Sequence, residues 1–129
     1  MRRAYLDSSA FVTLIVNEPE SRALRSWLRG RRWTSAALLR SEVLRAVRPH
    51  GQRTVDVARR MIARAEFVRL SPALLDLSAM LGPPELRTLD AIHLAAARVL
   101  GDELGAVVTY DRHLGDAARS LKMRVAAPR

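Results

Sequence analysis

Four acidic residues occupy positions where apolar neighbours would be the simpler choice. Asp90 lies in "LRTLDAIHLAAA", residues 86–97. On a helical wheel, Leu86, His93, Leu94 and Ala97 surround it within about 60° on either side. The charged pole lies elsewhere, around Arg87 and Arg98. Glu42 sits mid-helix in "LLRSEVLRAV", with wheel neighbours Leu38, Leu39, Arg45 and Ala46, so its surround is half core. Asp7 directly follows the apolar run "AYL", and Asp111 directly follows "VVTY". Burying an ionised carboxylate is costly unless it is paired or bound to a metal. Four such groups in one place cannot all stay ionised alone, and a divalent cation resolves the repulsion. The donors would all be oxygen, and the chain has no cysteine and no clustered histidine, which favours Mg²⁺ or Mn²⁺ over zinc. An ion held this way polarises a phosphodiester and lowers the pKa of a bound water, so the expected chemistry is phosphoryl transfer to water.

Each residue also has an ordinary explanation. Asp7 opens "DSSA", good N-cap chemistry, and Asp111 can cap the helix that follows it. Glu42 can pair with Arg45 at i+3 on a solvated face. Asp90 is hardest to dismiss, since it needs a buried ion pair or a backbone partner. Two further residues stand near: Ser9 could orient the Asp7 carboxylate by a hydrogen bond or be an ordinary first-turn helix hydroxyl, and Asp116 is a fifth acidic candidate on a helix with a solvated alternative. His93 shares the face of Asp90, where a core histidine is more often structural than a base. Arg59, Arg60 and Arg64 form either an RNA-facing stripe or a solvated face.

The elements that must position these groups alternate along the chain. Strands are expected at 3–6, 31–34, 67–70, 105–110 and 123–126. Helices are expected from Asp7 to about Val16, then at 21–29, 36–47, 52–66, from Ser71–Pro72 to Gly82, at 86–100, and at 112–121. Gly30 is placed to stop the second helix, Ser35 to cap the third, and Ser71 with Pro72 to open the fifth. Five short strands alternating with helices argue for an α/β fold with a parallel sheet covered on both faces. Ligands of such sheets bind beyond the carboxyl ends of the strands, where the strand order reverses. Two strands followed by aspartate aim two carboxylates at that rim.

A chain of 129 residues is read as one domain, able to bury a core without staples. Lys and Arg total 22 against 13 Asp and Glu, a net charge of +9, and Lys122 is the only lysine. Arginine's planar donor fork suits phosphate and carboxylate, so nucleic acid or an acidic protein is the expected partner. "MRRAYLDSSAFVTLIV" begins like a secretion signal, but Asp7 interrupts the apolar run. No uncharged stretch approaches the roughly 20 residues of a membrane span. The expected location is the cytoplasm. No Gly-rich phosphate loop and no nucleophilic triad is legible.

Taken in order, "YLDSSAFVTLI", "SEVLRAV", "LRTLDAIHLAAA" and "VVTYDRHLGDAA" resemble the acidic motifs of PIN-domain ribonucleases, and most closely the VapC-type toxins of bacterial VapBC toxin–antitoxin modules. The resemblance spans nearly the whole chain, 1–129. It implies a PIN-like three-layer α/β/α sandwich with a short, mostly parallel five-stranded sheet. It implies a Mg²⁺-dependent endoribonuclease acting as a toxin, with Asp7, Glu42, Asp90 and Asp111 as catalytic and metal-binding residues and Ser9 as the hydroxyl after the first aspartate. It also implies neutralisation by a cognate VapB-type antitoxin and homodimerisation, for which the apolar helix after Asp7 offers either a surface or a core face. The alternative from another class is a non-catalytic RNA- or protein-binding module. Other Mg²⁺ phosphoryl enzymes fit poorly: a haloacid-dehalogenase-like phosphatase needs an aspartate where Ser9 stands, and a response-regulator receiver needs an acidic pair near the first strand.

Overall fold

The computed structural model of the chain describes residues 2–129. Five strands form one sheet: β1 (Arg3–Leu6), β2 (Arg32–Ala36), β3 (Glu66–Val68), β4 (Leu104–Val108) and β5 (Val125–Ala126). The order is β3-β2-β1-β4-β5, and every pairing is parallel. The chain winds outward from β1 to β3, then returns to β1's other side for β4 and β5. The reversal therefore lies between β1 and β4.

Seven α-helices cover the sheet: α1 (Ser8–Ile15), α2 (Ser21–Leu28), α3 (Leu39–Val47), α4 (Gln52–Ile62), α5 (Pro72–Ala79), α6 (Thr88–Val99) and α7 (Arg112–Ser120). Alternation along the strands divides the core in two. Ala4, Leu6 and Val108 face one side and pack with Phe11, Leu14, Leu24, Val43 and Ile62 from α1–α4. Tyr5 and Val107 face the other and pack with Leu74, Leu94, Leu114 and Ala118 from α5–α7. This is the expected α/β/α sandwich. The central helix is α6, buried at every position from Ala91 to Ala97. Four alanines in that run let its backbone lie close to its neighbours.

Local signals explain most boundaries. Gly30 adopts φ +78 just past α2, a left-handed stop that a side chain would strain. The Ser71 hydroxyl accepts from the Leu74 N–H, with Pro72 at the first helical position. Ser35 is a correction. It does not cap α3 but lies within β2, fully buried, and donates to the Leu6 carbonyl at 2.6 Å. Helix α3 begins only at Leu39, without a side-chain cap. The fourth helix also ends early, at Ile62, which releases Glu66 into β3. Helix α1 turns Ala10, Phe11, Thr13 and Leu14 into the core and leaves Val12 and Ile15 half-buried. Arg64 lies two residues beyond the end of α4, exposed, with its guanidinium over Trp33 at 4.7 Å; Arg59 and Arg60 are exposed on the helix itself.

Candidate active site

Asp7 and Asp111 flank the switch point between β1 and β4. Asp7 leaves β1 and caps α1, its carboxylate accepting from the Ala10 N–H at 2.9 Å. The same oxygen accepts from the Ser9 hydroxyl at 2.7 Å, as the spacing suggested. The other oxygen accepts from the Thr109 hydroxyl. Capping and site membership are therefore one arrangement. Asp7 is only 3% exposed, and burial pushes its carboxyl pKa up against the opposing pull of these three donors and of His93.

Asp111 does not directly follow its strand. β4 ends at Val108, and Thr109 and Tyr110 intervene. Those two residues stitch the site together. Thr109 Oγ1 accepts from the Asp111 N–H at 3.0 Å while donating to Asp7. Ser9 Oγ accepts from the Tyr110 N–H at 3.0 Å while donating to Asp7. Asp111 then caps α7, accepting from the N–H groups of His113 at 2.9 Å and Leu114 at 3.3 Å. Thr109 was not singled out from sequence. The signal was its place two residues before Asp111 at the end of a strand.

Asp90 sits in the first turn of α6 with its side chain 15% exposed, less buried than the wheel implies. Its partner is Arg87, which the wheel assigned to the opposite pole. Arg87 precedes the helix in extended conformation (ψ 148), so its side chain is not bound to the helical wheel. It folds back, Nε donating to Asp90 at 3.2 Å and a terminal nitrogen reaching Asp111 at 3.5 Å. One guanidinium thus spans two of the four carboxylates.

Glu42 lies in the first turn of α3 rather than mid-helix, because that helix starts late. It is not paired with Arg45. It accepts from His93 Nε2 at 2.7 Å, and His93 Nδ1 is 2.7 Å from the Tyr5 hydroxyl. Burial pushes the Tyr5 phenol up against the pull of hydrogen bonding by Ser35 and the Ala36 backbone, and the charges of Asp7 and Glu42 add to the rise. Asp116 lies one turn along α7, largely exposed and 3.5 Å from Arg119. It joins Arg87, Asp90 and His113 in the wall of a 660 Å³ cleft but meets none of the other carboxylates in a recorded contact.

Among the described residues no buried side-chain polar atom lacks a partner. Nor, among them, do three acidic or histidine side chains form a ready-made metal-holding group. Every one of the four carboxylates is engaged by a donor: Asp7 by hydroxyls, Asp90 and Asp111 by the shared Arg87, Glu42 by His93. The donor set still fits a hard divalent cation, being oxygen only, and Arg87 shows that Asp90 and Asp111 together draw one cationic group.

A parallel sandwich with carboxylates at its switch point defines a class, and comparison with known proteins agrees. Residues 4–120 match the PIN domain family. The chain belongs to the PIN-domain family, among its VapC members. It is 50% identical over 129 residues to Ribonuclease VapC46 of Mycobacterium tuberculosis, covering 99% of both chains. It is 40% identical to Ribonuclease VapC35 of the same species, covering 96% of each. Among solved structures, Mycobacterium tuberculosis VapC20, a Sarcin-Ricin loop cleaving toxin, superposes with a TM-score of 0.73 at 14% identity, over 88% of this chain and 94% of that one. A toxin–antitoxin complex from Klebsiella pneumoniae matches with a TM-score of 0.70 at 18% identity, over 98% of each chain. These two bear on the fold.

Proposed function

We propose that residues 1–129 act as a single PIN domain, a divalent-cation-dependent endoribonuclease that serves as the toxin of a toxin–antitoxin pair. The name shared by its relatives, ribonuclease, supplies the activity. The observation that supports the site is a chain of contacts beside the β1–β4 reversal: Thr109 links Asp7 to Asp111, and Arg87 links Asp111 to Asp90. Asp7, Asp90, Asp111 and Glu42 are the groups that would hold Mg²⁺, with Mn²⁺ the alternative. When bound, such an ion supplies Lewis-acid polarisation of the phosphodiester and lowers the pKa of the attacking water. Ser9 and Thr109 fix the Asp7 carboxylate in one rotamer, so its charge is presented without reorganisation. Asp116 stands at the mouth of the neighbouring cleft as a supporting group.

The partners follow from the same site and surface. RNA is drawn by the net charge of +9. A VapB-type antitoxin is the expected neutraliser, and an arginine entering from it could take the place Arg87 holds between Asp90 and Asp111. Homodimerisation belongs to the reading, with Leu75, Leu77 and Met80 of the α5 segment and Leu89 of α6 as exposed apolar surface. Among the described residues no helix is long and apolar enough to cross a membrane. The cytoplasm is where this reading places the protein.

The test is cleavage of total cellular RNA by wild type and Asp90→Asn, with and without Mg²⁺ or Mn²⁺. Discrete fragments that require metal and vanish in the variant support the assignment. Equal cleavage by both proteins overturns it, and no cleavage by clean wild type favours a non-catalytic binding module.

A further inference from the structure

The reading above leaves one buried polar group of α6 without a role. His93 is three residues after Asp90, so both project from the same side of the helix one turn apart. Its side chain is 3% exposed and lies among the alanines and leucines of the α5–α7 core. A histidine there costs more than the apolar residue that would fill the same space, unless both ring nitrogens are satisfied. Both are, in opposite directions: Nε2 reaches Glu42 at 2.7 Å, and Nδ1 reaches the Tyr5 hydroxyl at 2.7 Å. Tyr5 is itself fully buried, on the strand that delivers Asp7.

The chemistry of the partners fixes the direction of the Glu42 bond. An ionised Glu42 can only accept, so Nε2 carries a hydrogen and donates. Nδ1 then accepts from the Tyr5 O–H when the ring is neutral and donates to the phenol oxygen when the ring is protonated. The Tyr5 and His93 rings meet edge-on with centroids 5.8 Å apart, which holds the imidazole plane as well as its hydrogen-bonding edge. One Glu42 oxygen is thus anchored to a rigid group on α6, and the other makes no hydrogen bond among the described residues. Without His93, Glu42 would hang from the first turn of a helix that has no side-chain cap, with no other side-chain partner among the described residues.

We propose that His93 is a positioning residue: it holds Glu42 in the cation-binding arrangement, and Tyr5 fixes the ring that does so. Helix α6 therefore serves the site twice, directly through Asp90 and indirectly through His93, which ties the carboxylate of α3 to the helix that carries Asp90. The inference rests on the reading of Glu42 as a cation-holding carboxylate. It adds a residue that touches neither metal nor RNA.

The experiment is calorimetric titration of the purified full chain with MgCl₂, on folded protein checked by thermal melting. The variants are His93→Met, His93→Gln, Tyr5→Phe, Glu42→Gln and the double variant of Glu42→Gln with His93→Met. Loss of a group that hydrogen-bonds a ligating side chain typically weakens metal binding roughly 10–100-fold, and that is the range expected for His93→Met. His93→Gln keeps an N–H donor where Nε2 stood and is expected to stay within about threefold of wild type, well inside that range. In the Glu42→Gln background His93→Met should add nothing, because the residue acts only through Glu42. RNA cleavage should show a lower kcat for His93→Met with KM little changed. A merely structural histidine would lower the melting temperature and leave the Mg²⁺ affinity of the folded protein alone, and that result overturns the proposal. Should His93→Met fail to fold, Tyr5→Phe decides: weakening of about threefold or more supports the proposal, and unchanged affinity overturns it. If Glu42→Gln itself binds Mg²⁺ like wild type, the parent reading of Glu42 falls and this inference with it. If Glu42→Gln weakens binding while folded His93→Met does not, only this inference falls.

Discussion

Asp7→Asn should make the protein more stable while abolishing cleavage. The carboxylate is buried, and its desolvation outweighs the hydrogen bonds it receives, since the net effect is to raise its pKa. Asparagine caps a helix about as well as aspartate, so α1 keeps its cap. Its carbonyl oxygen keeps the Ala10 N–H and the Ser9 hydroxyl, and the Thr109 hydroxyl can rotate to accept from the new amide. Three bonds to a charged acceptor become bonds to a neutral group, a loss of about 1 kcal/mol each. The relieved desolvation is several kcal/mol for an ion. The net gain expected is about 1–2 kcal/mol, or a rise in Tm of roughly 4–8 °C for a chain of this size. The pH dependence carries the mechanism. Folded Asp7 keeps its proton to higher pH than unfolded Asp7, whose carboxyl titrates near about 3.9. Between those two values the folded state binds more protons, so the Asp7 contribution falls as pH rises. Below the lower value it is absent, and above the upper value the cost is complete. The advantage of Asp7→Asn should therefore grow from about pH 4 upward and then level off. Urea denaturation of both proteins across that range, in chelator, measures it. A variant no more stable than wild type at neutral pH, or an advantage that shrinks as pH rises, would refute the reasoning.

Other expectations follow from the same geometry. Arg87→Gln removes the guanidinium that competes for Asp90 and Asp111; exposed pairs of this kind contribute about 0.2–1 kcal/mol, so Mg²⁺ affinity should rise by up to about fivefold. Weaker binding in a calorimetric titration would count against a shared cation position there. Asp111→Ala should cost about 1 kcal/mol through loss of the α7 cap, whereas Asp111→Asn should keep stability within a few tenths, yet both should lose RNA cleavage. Thermal melts alongside a nuclease assay separate the two roles. Leu94→Ala empties part of the core beneath α6 and should cost about 2–5 kcal/mol, read as a lower urea midpoint.

The strands, the helices and the acidic candidates could be read from the chain because each rests on local physics. Alternation of apolar runs with amphipathic segments fixes a layered parallel sheet, Gly30 and Ser71–Pro72 mark their boundaries, and an aspartate after a strand lands at the carboxyl rim whatever the register. Where short-range signals competed, sequence reading went astray. Ser35 looks like a helix cap, but its hydroxyl has a better acceptor in the Leu6 carbonyl of the neighbouring strand, which only sheet pairing brings near. The wheel set Arg87 and Asp90 apart because it assumes both are helical, and Arg87 is not.

What the sequence determined by itself is the inventory: oxygen donors without cysteine, two aspartates delivered by strands, two acids on half-buried helix faces, and a basic chain around them. The partners of those acids were decided by tertiary structure alone. Asp7 meets Thr109 across 102 positions of sequence, Glu42 meets His93 across 51, and Tyr5 meets His93 across 88. No periodicity encodes such contacts. They exist because the parallel sheet places β1 beside β4 and packs α6 against the sheet, where a buried polar atom must find whichever partner the packing supplies.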